Sequence, residues 1–181
     1  MKHLANLVTA SRAPLGIAIA LILQNPTQSN IILCIILAII AESTDFLDGT
    51  IARATNSVSA IGKALDPLCD SLYRVSVFIG FVMAGWMALP LLFIFVFRDI
   101  IVAYSRIFAA QNNKDVAARI SGKIKAVIQG VAQIGVLAYA AKNVDNLDVA
   151  MHIIPQGLLY AAAAITFYSL IDYTYHNVFA D

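Results

Sequence analysis

Asp45-Phe46-Leu47-Asp48-Gly49-Thr50-Ile51-Ala52-Arg53, followed eight residues later by Gly62 and then by Asp66 and Asp70, decides how this chain is read. Asp45 and Asp48 are three residues apart, and Asp66 and Asp70 are four apart. Those spacings put each pair on one face of a helix. The flanking segments, residues 31–41 and 75–82, are almost unbroken apolar runs. Four carboxylates are therefore expected across a hairpin between two membrane helices, where a charge is costly unless it faces water, a partner or an ion.

The rest of the chain supports a membrane setting. Of its 181 residues, 60% are hydrophobic and 13% charged, too few polar groups to clothe a soluble core of this size. Dividing at polar and Pro/Gly breaks predicts six spans of about 20 residues, at 4–23, 31–49, 66–87, 89–105, 124–141 and 153–173. Residues 50–65 and 110–122 are read as loops between them. No repeat or low-complexity segment appears, so residues 1–181 form one domain. The start is read as a retained helix, because Arg12 and Pro14 interrupt any signal-peptide core.

Lys and Arg concentrate in alternate connections, which favours both termini on the cytoplasmic side. Threading the helices accordingly brings Glu42, Asp45, Asp48, Asp66, Asp70, Arg74, Arg98, Asp99, Arg106, Lys123, Lys125 and Asp172 towards one half of the membrane. The expected fold is thus all-α and polytopic, with six transmembrane helices around a polar cavity open to the cytoplasm. A cation carrier, the main rival, would spread its charges across the membrane depth. The net charge of +1 says little about partners, and no nucleic acid partner is expected.

Clustered carboxylates call for hard divalent cations with oxygen ligands. Two Mg²⁺ (or Mn²⁺) ions held by aspartates and substrate phosphates suit a diphosphate ester. Gly49, Ala52 and Gly62 permit close approach of a ligand or a facing helix, and Arg53 has the chemistry to meet a phosphate or a motif carboxylate.

The complete pattern, DxxDGxxAR, eight residues, GxxxDxxxD, resembles the signature of the CDP-alcohol phosphotransferase family from Asp45 to Asp70 without a departure. The resemblance implies that Asp45, Asp48, Asp66 and Asp70 bind two metal ions, and that Asp70 is the general base. It implies CDP contacts at Asp48, Gly49, Ala52, Arg53, Gly62 and Asp66, and a homodimer. The reaction implied joins the lipid of a CDP-linked donor such as CDP-diacylglycerol to a small alcohol with release of CMP, in a bacterial inner membrane.

Weaker signals address the alcohol. Arg98 and Arg106, then Gly122-Lys123-Ile124-Lys125 and Gln129, look like the pattern of phosphatidylglycerophosphate synthases, as does the opening Asn6-Leu7-Val8-Thr9-Ala10-Ser11-Arg12. Asp99 stands where that pattern has Glu, and Ala126 where it has Thr. Arg98, Arg106, Lys123 and Lys125 are a cationic set suited to an acceptor phosphate, such as that of glycerol 3-phosphate. An inositol phosphate would need cations too, and phosphatidylinositol-phosphate synthase is the alternative. Cys34 and Cys69 read as packing residues and the three histidines as interfacial polar groups. Trp86, Tyr160, Tyr173 and Tyr175 fall near helix ends, where membrane-interface anchors are expected.

Overall fold

The computed structural model describes the backbone of residues 2–55, 60–112, 119–146 and 152–179, and the side chains of 9–44, 65–112, 119–146 and 152–178. Six long helices account for nearly all of it: α1 (Lys2–Ile22), α2 (Gln28–Thr55), α3 (Ala60–Met83), α4 (Leu89–Gln111), α5 (Ile120–Lys142) and α6 (Ile153–Thr174). A 3₁₀ turn, Val144–Asn146, and a π turn, Tyr175–Phe179, follow α5 and α6. At a rise of ~1.5 Å per residue each helix is at least ~30 Å long, about the thickness of a bilayer core.

The helix bounds correct the expected loops. Residues 50–55 continue α2 and residues 60–65 belong to α3, so Asp66 and Asp70 lie inside a helix rather than at its start. Polar side chains had signalled a break, but their backbone hydrogen bonds are made within the helices. Pro67 is likewise tolerated inside α3, although it leaves one carbonyl of the preceding turn without its usual donor.

Cross-helix contacts fix the directions. Arg12 reaches Asp66, Gly16 lies against Tyr73, and Gly80 lies against Ala20, so α1 and α3 run parallel. A Cβ on Gly16 would come within 2.7 Å of the Tyr73 carbonyl oxygen, and one on Gly80 within 2.9 Å of Ala20 Cα. Backbone thus meets backbone, as in membrane helices packed through small residues. Gly122 faces Tyr173 while Gly135 faces Leu158, so α5 and α6 are antiparallel. Arg98 bonds to Ser169 and Ser105 to Asn177, which makes α4 and the end of α6 parallel.

Gly85 ends α3 at φ 77°. The Trp86 N–H donates to the Phe81 carbonyl (2.8 Å) and the Gly85 N–H to that of Val82 (3.1 Å), the paired bonds of a Schellman cap. Trp86 folds back onto Phe81, ring centroids 5.9 Å apart, and is 1% exposed. It is a buried staple, not an interface anchor.

Polar and charged side chains share the interior with an apolar core, and large apolar side chains cover the exterior. Arg12, Arg74, Arg98, Lys125, Gln129 and Gln133 are buried, whereas Ile36, Phe97, Val127 and Phe167 are exposed. An exterior this apolar is not that of a water-soluble monomer. Two described segments, Ile120–Lys142 and Ile153–Val178, are long and apolar enough by length and composition to cross a membrane, and Thr9–Ile22 and Gln28–Thr44 are shorter apolar helices. Cys34 and Cys69 are buried and unpaired, as packing residues should be.

Candidate active site

Charged side chains gather at the end of the bundle where α1 and α3 begin. Two of the four motif aspartates lie among the described side chains. Arg12 of α1 pairs with Asp66 and approaches Asp70 at 3.9 Å. Arg74, one helical turn beyond Asp70, binds it through Nε at 3.0 Å and reaches Glu42 of α2 through Nη1, also at 3.0 Å. Gln133 of α5 donates to the Arg74 carbonyl (2.9 Å), which ties this part of α3 to α5. The side chains of Asp45, Asp48, Gly49, Ala52, Arg53 and Gly62, expected to hold metal or the CDP moiety, lie outside those described.

A second network adjoins the first along α5. Lys125 donates to Asp99 at 3.0 Å, and Arg98 holds the same carboxylate oxygen at 2.9 Å while its other terminal nitrogen donates to Ser169 (2.8 Å). Gly130 of α5 sits against Glu42 and Arg74, only about 7.5 Å along the helix axis from Lys125. Arg98 is 8% exposed and Lys125 4%, so their shared carboxylate offsets a desolvation cost that neither could bear alone.

Arg106, two turns beyond Arg98, donates to the Tyr173 hydroxyl (2.9 Å), as does the Arg119 backbone N–H (2.9 Å). Arg119 also grips both oxygens of Asp172 at 2.7 and 3.0 Å, and Ser121 donates to the same carboxylate. That hydrogen-bonded carboxylate holds the Arg119 guanidinium above its ordinary pKa. Lys123 is exposed, the one member of the expected cationic set that turns away from the interior. Nε of Arg98 and Nε of Arg106 are buried without a hydrogen-bond partner.

Tyr173 is 2% exposed, which overturns its reading as an interface anchor, while Tyr160 and Tyr175 are each 58% exposed. Arg12, Glu42, Arg119 and Ser169 also join these networks without having been singled out as site residues. A signal for the α6 members existed. Leu159, Ala162, Thr166, Ser169 and Tyr173 recur at helical spacing on the buried face, and the larger apolar residues occupy the other.

Asp66 and Asp70 are hard oxygen donors of the kind a divalent ion takes, and in this structure arginines meet their charge. Among the described residues no three His, Cys, Asp or Glu side chains converge closely enough to hold one. Glu42 and residue 45 share a face of α2 by helical register, and Arg74 brings that face to the Asp70 face of α3.

An all-helical bundle with carboxylates and cations massed at one end defines a narrow class, and comparison of the whole chain names it. A sequence model of the CDP-alcohol phosphatidyltransferase family matches residues 2–171, and the chain belongs to that family. It is therefore a membrane-associated transferase of phospholipid biosynthesis. Among its relatives, a CDP-diacylglycerol--glycerol-3-phosphate 3-phosphatidyltransferase of Mycoplasma genitalium is 30% identical over 138 residues, 74% of this chain and 58% of that protein. Proteins of the same name from Yersinia pestis and Pectobacterium atrosepticum are 30% and 29% identical, covering 77% and 78% of this chain and 75% and 76% of their own lengths.

Proposed function

We propose that the chain transfers the phosphatidyl group of CDP-diacylglycerol to glycerol 3-phosphate, forming phosphatidylglycerophosphate and CMP. The relatives' names support the two substrates. The observation that carries the acceptor is a pair of arginines, the buried Arg98 and the half-buried Arg106, whose Nε–H groups are buried and lack an acceptor. A phosphate oxygen both accepts from such groups and meets the guanidinium charge, whereas an uncharged alcohol oxygen can accept the hydrogen bond but leaves the charge unmet.

In this reading the acceptor phosphate lies against Arg98 and Arg106, with Lys125 adding charge from α5. Its hydroxyl then meets the carboxylate end of α3. Asp70 takes the hydroxyl proton as the oxygen attacks the phosphatidyl phosphorus. The new P–O bond forms as the diphosphate linkage breaks, and CMP leaves with the electrons of that bond. Asp45, Asp48, Asp66 and Asp70 would hold two Mg²⁺ or Mn²⁺ ions, which supply neutralisation of the diphosphate charge. Arg12 and Arg74 hold Asp66 and Asp70 in place on α3, and Asp48, Gly49, Ala52, Arg53, Gly62 and Asp66 contact the CDP moiety.

The six helices span the membrane with their charged end and both termini on the cytoplasmic face of a bacterial inner membrane, and two copies pair. The apolar exterior and the alternating helix directions support this arrangement. Clustering of charge at one end favours a transferase over a cation carrier.

The test is CMP release by purified protein given CDP-diacylglycerol and Mg²⁺, with glycerol 3-phosphate, inositol 3-phosphate, inositol and serine compared. Glycerol 3-phosphate should be used best. Turnover with inositol or serine but with neither phosphorylated alcohol would refute the assignment.

A further inference from the structure

Among the described residues, Tyr173 is the one aromatic side chain placed against both arginines of the cationic set. The Arg98 guanidinium carbon lies 5.3 Å from its ring centroid and that of Arg106 4.9 Å. Both distances fall within the range at which a ring attracts a cation. Its hydroxyl oxygen accepts from Arg106 and from the Arg119 backbone, so the ring is pinned from α4 and from the start of α5 at once. At 2% exposure the ring excludes water from the arginines it faces.

Gly122 gives the ring its place. A Cβ there would stand 2.7 Å from the Tyr173 hydroxyl oxygen and 3.0 Å from Cε2. Any side chain at position 122 therefore pushes the tyrosine off its seat. Glycine is required here for the space a phenol needs, and not for an unusual backbone angle.

We propose that Tyr173, seated by Gly122, is a positioning residue that sets the spacing and orientation of Arg98 and Arg106, and thereby the enzyme's grip on the phosphate of its acceptor. The inference rests on the acceptor reading above. Long arginine side chains have many rotamers, and fixing two of them in advance lowers the entropy lost on binding. The ring does so without neutralising either, as a carboxylate would, so both keep their charge for the ligand. Asp99 tempers Arg98 alone, while Arg106 forms no ion pair among the described residues.

The test compares Tyr173→Phe, Tyr173→Leu and Gly122→Ala in the full-length detergent-solubilised protein, with KM measured separately for glycerol 3-phosphate and CDP-diacylglycerol. Tyr173→Leu, which loses ring and hydroxyl, should raise the acceptor KM about tenfold or more. The donor KM should stay within about twofold, since no donor contact is removed. Tyr173→Phe keeps the ring and should recover most of the loss. Gly122→Ala should also raise the acceptor KM, and by a smaller factor in the Tyr173→Phe background, where the oxygen it strikes is gone. Equal rises in both KM values, a fall in kcat alone, or a phenylalanine variant no better than leucine would overturn the proposal. Should the unaltered protein release CMP only with unphosphorylated alcohols, the acceptor reading fails and this inference with it. Normal turnover of glycerol 3-phosphate with an unresponsive Tyr173 refutes the inference alone.

Discussion

Removing Arg74 is the sharpest test of how the charged end is held together. Its side chain is 4% exposed and stands between Glu42 and Asp70, which are 29% and 25% exposed. Arg74→Met keeps most of the volume and deletes the cation, leaving Glu42 without this partner and Asp70 with only the more distant Arg12, at 3.9 Å. Breaking a buried ion pair from one side costs ~3–5 kcal/mol. The partners keep some access to water, so the lower end, ~3 kcal/mol, applies. For a chain of this size each kcal/mol moves the melting temperature by ~2–4 °C, so thermal unfolding in detergent should come ~6–12 °C earlier. Glu42→Gln added to Arg74→Met removes one of the stranded charges and should restore a good part of that loss without restoring activity, because Asp70 still lacks its anchor. An Arg74→Met protein that melts within about 2 °C of the parent would show that Arg74 is not the tie between α2 and α3, and the reasoning would fail.

Packing and chemistry yield three further expectations. Gly16→Ala and Gly80→Ala each set a methyl group against backbone of the partner helix and should lower the melting temperature measurably. Gly157→Ala meets nothing within 4 Å and should be neutral or stabilising by up to ~1 kcal/mol; equal behaviour of all three in thermal denaturation would contradict the α1–α3 packing. Asp70→Asn should still bind CDP-diacylglycerol in an equilibrium assay yet release little CMP, and unchanged turnover would remove its role as base. Chelating divalent ions should abolish CMP release and adding back Mg²⁺ should restore it, whereas activity that survives exhaustive chelation argues against the metal reading.

How much was legible beforehand depended on whether the signal was local. Helix number and order follow from the apolar runs and the polar breaks between them, and the bounds agree to within four residues except at the end of α2, the start of α3 and the end of α4, each six residues outside the expected span. Residues 50–55 and 60–65 read as loop because polar residues look like loop residues when only composition is weighed, whereas they continue α2 and open α3. Arg12 shows the other limit: its partner Asp66 is 54 positions away, and no spacing rule connects them. Only the parallel packing of α1 and α3, dictated by Gly16 and Gly80, brings them together.

Tyr173 and Trp86 carry the same lesson into function. Both sit at the ends of helices, where an aromatic residue is expected to lie in the headgroup layer. Position along the helix alone does not decide burial; rotational position around it does. On α6 the stripe through Leu159, Ala162, Thr166, Ser169 and Tyr173 is the buried one, and Phe167, Tyr168 and Ile171 point outward. In a bundle surrounded by lipid the interior is marked by small and polar residues, because the large apolar ones are equally content outside. An aromatic residue in register with such a stripe belongs inside, beside the charges the stripe accommodates, and Tyr173 lies there against two arginines.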